Sequence, residues 1–362
     1  MGINKKLFTG GAPATLGNDF TVKKYTGNGG TQNITTGFNP VLTIFRALNN
    51  DGPWAVYDDV RGGLTYLRTD SQAADATSTE YGVTSFTTSS TSITVKDDTN
   101  GGFNINGASG GLYAGNPADY ILYAWKASDA FSHSASGSQI ASSGKSNQVA
   151  GFSIVSYTGN GSAGATIAHN LGASPELVLC KSRDSVVDWN VFSSVLSTNY
   201  MMKLNTTGVA FDGSSGTNGG AFTVSSSLLT VVGGSSTQNN NNKSGDDFIA
   251  YCFRSIAGFS KIGSYTGNSD SGAAVVSLDF TPDFVMIKNT TSAGSNWAIY
   301  DTVRSTSNNR DKIIAFDLAE DESTTGGNWI QINTNEFRTS TGSGTGTNKQ
   351  GDTFLYWAIK IN

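Results

Sequence analysis

Tyr25-Thr26-Gly27-Asn28, Tyr157-Thr158-Gly159-Asn160 and Tyr265-Thr266-Gly267-Asn268 are one tetrapeptide met three times in a chain of 362 residues. Each copy follows an apolar, partly alternating run headed by an aromatic: Phe20-Thr21-Val22, Phe152-Ser153-Ile154-Val155 and Phe259-Ser260-Lys261-Ile262. That pattern reads as a strand running into a glycine turn. Downstream, a proline opens a second strand in every copy, over Pro40 to Arg46, Pro175 to Lys181 and Pro282 to Lys288. Proline is tolerated at a strand's first residue because no ladder hydrogen bond is lost there. Trp54, Trp189 and Trp297 stand 14, 14 and 15 positions after those prolines and head a third strand. Phe86 and Ile93, Phe222 and Leu229, and Ile330 and Phe337 share a separation of seven, as two arms around a turn do. Each copy closes on an aromatic-rich strand ending in a cation: Tyr120 to Lys126, Phe248 to Arg254 and Phe354 to Lys360. This strand is apolar on both faces, as a central strand of a packed sheet must be.

Five matched blocks in one order, three times over, predict an all-β chain of three tandem β-sandwich (jelly-roll-like) domains. The boundaries fall at 19–127, 151–256 and 257–362, each close to the ordinary domain size of roughly 100 to 150 residues. Residues 128–150 are rich in Ser, Gly and Ala and predict a flexible or surface-laid linker, whereas only 255–258 join the second and third copies, which should pack as a rigid pair. Residues 1–18, with Lys5, Lys6, Leu7 and Phe8, predict a tail that orders on a partner. Gly numbers 44 and Pro 6, the composition of short strands joined by turns. Charged residues are 14% of the chain, against roughly 25% in an average domain. Hydroxyls and amides must therefore wet the surface, and such a surface suits hydrogen bonding to neutral sugars.

A formal net charge of -5 gives no footprint for a phosphate backbone or an anionic membrane, so neither nucleic acid nor membrane insertion is expected. No apolar run of secretory length opens the chain, and folding in a cytoplasm is the expectation. The two histidines limit catalysis: His133 lies in the Ser-rich linker, His169 has no ligand-type neighbour at metal spacing, and both read as solvent-facing or turn residues. Cys180 and Cys252 fall at core positions of the repeat and read as buried thiols. The acid pairs Asp58/Asp59 and Asp246/Asp247 and the run Glu320-Asp321-Glu322 do not recur in a shared setting, so glycoside cleavage finds no matched pair. No catalytic residue, metal or cofactor is expected. The matched tryptophans read as core anchors of each sandwich. Tyr113, Tyr200 and Trp329 lack counterparts and are the candidates for surface binding.

The repeated blocks resemble a domain found in structural proteins of tailed bacteriophages, whose unit opens with Phe-Ser-x-x-x-Ser-Tyr-Thr-Gly-Asn-Gly and carries Tyr-Asp-x-Val-Arg after the tryptophan. The resemblance covers nearly the whole chain. Tyr57-Asp58-Asp59-Val60-Arg61 and Tyr300-Asp301-Thr302-Val303-Arg304 match, whereas the second copy departs with Phe192-Ser193-Ser194-Val195-Leu196. That departure argues against Asp and Arg as a catalytic unit and for an ion pair bracing a turn. The resemblance implies a virion protein of the tail or its fibres, assembled in the host cytoplasm, without enzymatic chemistry. It also implies attachment to other virion proteins through Lys5, Lys6, Leu7 and Phe8, homo-oligomers such as trimers, and contact with a host surface glycan or protein. The alternative is a capsid or neck decoration protein without a receptor role; a carbohydrate-binding module or depolymerase is disfavoured.

Overall fold

The computed structural model describes residues 18–49, 52–79, 81–86, 91–97, 105–107, 118–214, 220–232, 241–269, 272–323, 329–341 and 346–361. Among them every regular element is a strand, so the all-β expectation holds. Each repeat contributes a large and a small sheet. In the first repeat the large sheet runs from an opening strand (Phe20–Thr26) to the closing strand (Asp119–Trp125), the Pro-led strand (Leu42–Ala47), the Trp strand (Ala55–Asp58) and a rim strand (Thr65–Leu67). The same order recurs as Phe152–Thr158, Asp247–Phe253, Leu177–Ser182, Asn190–Ser193 and Tyr200–Lys203 in the second repeat. In the third it recurs as Ser260–Thr266, Thr353–Ile359, Phe284–Asn289, Ala298–Asp301 and Ile314–Ala315. The two arms expected around a turn lie in the small sheets, as in Ala221–Val224 with Leu228–Val232 and Ile330–Asn333 with Glu336–Thr339.

The closing strands explain their own sequence. Successive side chains of a strand point to opposite faces. Phe248, Ala250 and Cys252 enter a core between the two sheets of the second repeat, while Ile249, Tyr251 and Phe253 enter a different one. That second core is shared by all three repeats: Ile121, Tyr123 and Trp125 of the first and Leu355, Trp357 and Ile359 of the third join it. Trp125, Phe253 and Trp357 meet there, with ring centroids 6.0, 5.7 and 4.4 Å apart for the pairs Trp125–Phe253, Trp125–Trp357 and Phe253–Trp357. The three large sheets thus close into a ring around a common apolar axis, and each repeat keeps a smaller core of its own on the outer side.

Two expectations are corrected here. The matched tryptophans do not anchor separate sandwiches: Trp54, Trp189 and Trp297 belong to the shared core, because each lies on the same side of its strand as the residue two places on, Val56, Val191 or Ile299, and that side faces the ring axis. Residues 128–150 are not a flexible connector. They form the strands Asp129–His133, Gln139–Ile140 and Ser142–Asn147, the first and last of which extend the large sheet of the second repeat. An edge pair is held by its backbone ladder, so a segment poor in apolar residues serves, and its Gly144 is required where an added Cβ would lie 1.8 Å from the Ile154 carbonyl oxygen.

Candidate functional site

Tyr-Thr-Gly-Asn is built as a clamp. In each repeat the Tyr hydroxyl donates to a backbone carbonyl, Tyr25 to Ile105 at 2.5 Å, Tyr157 to Asn241 at 2.7 Å and Tyr265 to Thr347 at 2.5 Å. The next residue after each acceptor is a fully buried asparagine, Asn106, Asn242 or Asn348. Its side-chain oxygen accepts from the backbone N–H of the motif's own Asn28, Asn160 or Asn268, at 3.4, 2.9 and 2.9 Å. The glycine between them leaves no room for a side chain, since a Cβ on Gly27, Gly159 or Gly267 would lie 2.3, 2.2 or 2.1 Å from a backbone oxygen of the facing segment. The tetrapeptide is spent on holding the chain.

The matched tryptophans do the same between repeats. The Trp54 indole donates to the Ala315 carbonyl at 2.7 Å, Trp189 to Arg68 at 2.7 Å and Trp297 to Lys203 at 3.0 Å. First reaches third, second reaches first, third reaches second. The acceptors are equivalent, each following the rim-strand residue paired with Val56, Val191 or Ile299. Two residues past each acceptor, Asp70, Asn205 and Asp317 accept the backbone N–H of the Trp in their own repeat at 3.3, 2.9 and 2.9 Å. This block, Leu67-Arg68-Thr69-Asp70, Met202-Lys203-Leu204-Asn205 and Ile314-Ala315-Phe316-Asp317, is a sixth repeat element that the sequence reading missed. Its signal was an apolar residue followed at three positions by an Asp or Asn.

The Asp–Arg pairs brace turns, as expected, and also face a neighbouring repeat. Asp58 accepts from the backbone N–H groups of Val60 and Arg61 and from Arg61 Nε at 2.6 Å, and the Tyr251 hydroxyl of the second repeat donates to it at 2.6 Å. Asp301 repeats this with Arg304 Nε at 2.5 Å and the Tyr123 hydroxyl of the first repeat at 2.8 Å. Both ion pairs are fully buried. Burial alone would lower the Arg61 and Arg304 pKa values, but the adjoining carboxylates outweigh it and hold both guanidiniums charged. At the third joint the positions of Tyr, Asp and Arg hold Trp357, Ser193 and Leu196, and Leu196 packs against the core that contains Trp357.

The other reactive groups are also engaged. Of the two alternatives for His169, solvent-facing or turn, burial overturns the first: its Nδ1 accepts the Leu171 N–H and its Nε2 donates to the Ser225 carbonyl, so a turn holds the neutral ring inside, and burial lowers its pKa. His133 lies on the edge strand Asp129–His133. Cys180 and Cys252 are free and buried, and burial pushes the Cys180 thiol up to about 12. Among the acids, Asp59 pairs with Lys145, Asp246 with Lys243 and Glu322 with Arg304 and Lys312. Among the described residues no group of three or more His, Cys, Asp or Glu could hold a metal ion.

Of the surface candidates, Tyr200 is 38% exposed on its rim strand and Trp329 is half-buried, and the two are not brought together in any cavity described. Tyr113, Lys5, Lys6, Leu7 and Phe8 lie outside the described residues. A cleft of about 430 Å³ opens instead in the third repeat, between Ser295, Asn296, Ile313, Leu318, Glu320 and Lys349. The first repeat has Tyr66 at the place of Ile313, its ring 5.8 Å from that of Tyr57.

No curated protein and no solved structure matches the chain. A family model described as a domain of unknown function matches residues 16–361, nearly the whole chain. The chain belongs to that family, Domain of unknown function (DUF7483).

Proposed function

We propose that this chain is a non-catalytic structural component of a bacteriophage virion, a subunit of the tail or its fibres that contributes to host attachment. The observation that carries the reading is how the reactive side chains are used. The recurring Tyr, Asn, Asp, Arg and Trp residues are engaged in holding turns and joints, which favours a mechanical role over a chemical one. The resemblance of the repeated blocks to phage structural domains directs that role to a virion. A polar surface with few charges suits contact with a host glycan, and the cleft beside Glu320 and Lys349 is the place for it. Capsid or neck decoration is the second reading, favoured by the closed ring, since three equivalent faces around one axis can meet a threefold partner site with three like contacts.

Antibody labelling of intact particles under the microscope separates the two, tail signal supporting the first and capsid or neck signal the second. Particles that carry no label would sink both. Purified protein should also bind susceptible cells and compete with infection; indifference in both assays counts against the attachment role. Release of reducing sugar from host surface polysaccharide would refute the non-catalytic part.

A further inference from the structure

The cleft of the third repeat is lined by residues from three stretches of that repeat, 292–300, 313–323 and 346–349. The middle stretch is held from outside. The Trp54 indole of the first repeat donates to the Ala315 carbonyl at 2.7 Å and to the Leu318 carbonyl at 3.1 Å, and the Thr69 hydroxyl donates to the Phe316 carbonyl at 2.7 Å. The Arg46 guanidinium lies over the Trp54 ring, 5.7 Å from its centroid, and donates to the Glu320 carbonyl. In return the Glu322 N–H donates to the Leu48 carbonyl at 3.1 Å. Arg46, Trp54 and Thr69 are all buried. Ala315, Leu318 and Glu320 line the cleft, so part of its lining is seated on a neighbouring repeat that contributes no residue to it. Arg46 also departs from its counterparts. Lys181 and Lys288 stand at the same place of the Pro-led strand, and their ammonium groups donate to carbonyls of their own repeats, Ser182 and Ser185 for one and Ser295 for the other. The forked guanidinium reaches across the joint instead.

We propose that the cleft takes an uncharged saccharide and that Arg46 and Trp54 are positioning residues for it, so that a sugar in the cleft and closure of the joint between the first and third repeats favour one another. The inference rests on the reading of the cleft as the contact for a host glycan. The class of ligand follows from the lining. Ile313 and Leu318 offer apolar surface to the face of a sugar ring, while Asn296 and Glu320 offer hydrogen-bonding groups to its hydroxyls. Among the described residues of the lining the cation is Lys349, and its ammonium is already held by the Asp352 carboxylate at 3.5 Å and the Ser292 hydroxyl at 2.7 Å, which disfavours an anionic ligand. A ligand that bridges 313–323 to the other two stretches binds best when 313–323 is seated on the first repeat. By linkage, the bound ligand tightens that seat by the same factor.

The test uses the full chain, with the methyl glycosides of glucose, galactose, mannose and N-acetylglucosamine as probes. At least one should bind the wild type in titration calorimetry. At saturation it should slow hydrogen exchange of the Glu322 N–H, which bonds to Leu48 across the first joint named, and leave unchanged the Ala210 N–H, which bonds to Thr290 between the second and third repeats. Arg46→Lys, which installs the residue type that the other two repeats carry, should fold and bind the same probe about tenfold more weakly, the share of one charged hydrogen bond. Unaltered affinity in that variant, equal slowing at both amides, or no slowing at Glu322 would each overturn the proposal. Should Arg46→Lys not fold, the exchange comparison on the wild type decides alone. Wild-type protein that attaches to susceptible cells yet binds none of the probes overturns this inference and leaves the attachment reading standing, whereas protein that does neither overturns both.

Discussion

Replacing Gly267 by Ala tests whether the Tyr-Thr-Gly-Asn clamp exists for the close approach seen in the structure. The added Cβ would lie 2.1 Å from the Lys349 oxygen, 2.8 Å from its carbonyl carbon and 2.9 Å from the Asn348 carbon, so the two segments must part by about 1 Å to restore ordinary contact. That separation breaks or stretches the Asn268 N–H bond to Asn348, 2.9 Å in the wild type, and those of Gly267 to Asp352 and Gly351 to Gly267. Losing one or two buried hydrogen bonds costs about 1–3 kcal/mol each. Gly267 is not among the residues of positive φ, so Ala can adopt its conformation, and a smaller unfolded-state entropy returns up to about 1 kcal/mol. The net loss should be about 2–5 kcal/mol, read by equilibrium urea unfolding of the full chain. Gly27→Ala and Gly159→Ala, with contacts of 2.3 and 2.2 Å, should cost the same within error, whereas Gly346→Ala, whose Cβ meets nothing nearer than 4.0 Å, should be close to neutral. A Gly267→Ala variant within about 1 kcal/mol of wild type would refute the reasoning, because the facing backbone would then have room that the clamp denies it.

Trp125→Ala should cost about 3–5 kcal/mol by opening a cavity where the three repeats meet, and denaturant curves would show whether all repeats lose stability together. Burial pushes the Asp317 carboxyl up to about 6. From about pH 4, the unfolded value, to about pH 6 the folded chain therefore keeps a proton that the unfolded chain releases, and stability falls as pH rises through that window before levelling off. Asp317→Asn, which installs the residue type that Asn205 supplies in the second repeat, should flatten this dependence in urea titrations between pH 4 and 7. With burial raising both thiols, Cys180 and Cys252 should resist a thiol reagent at pH 8 in the folded chain and react in full in guanidinium; prompt native labelling of either would contradict their burial.

Much of the fold was legible because repetition substitutes for an alignment. A strand apolar on both faces must be covered on both, and the closing strands said so three times. The rim block from Leu67 to Asp70 escaped notice because its spacing from the tryptophan changes from 13 to 17 in the third repeat, and residues 128–150 were misread because an edge strand held by its ladder carries little apolar signal. The candidate site was less legible. Nothing in the sequence marks the cleft of the third repeat, whose lining residues, from Ser295 to Lys349, meet only in the folded chain.

The sequence by itself determined the secondary-structure class, the number and order of repeated blocks and which residues recur, since those follow from local pattern and chain period. What covers the second apolar face of each large sheet was decided only in three dimensions. A buried face requires an apolar partner without naming it, and the partner here is the neighbouring repeat. For the same reason the tryptophans, and the Tyr, Asp and Arg residues of the joints, acquired their roles only when strands 94 to 261 residues apart in the chain were brought together around one axis.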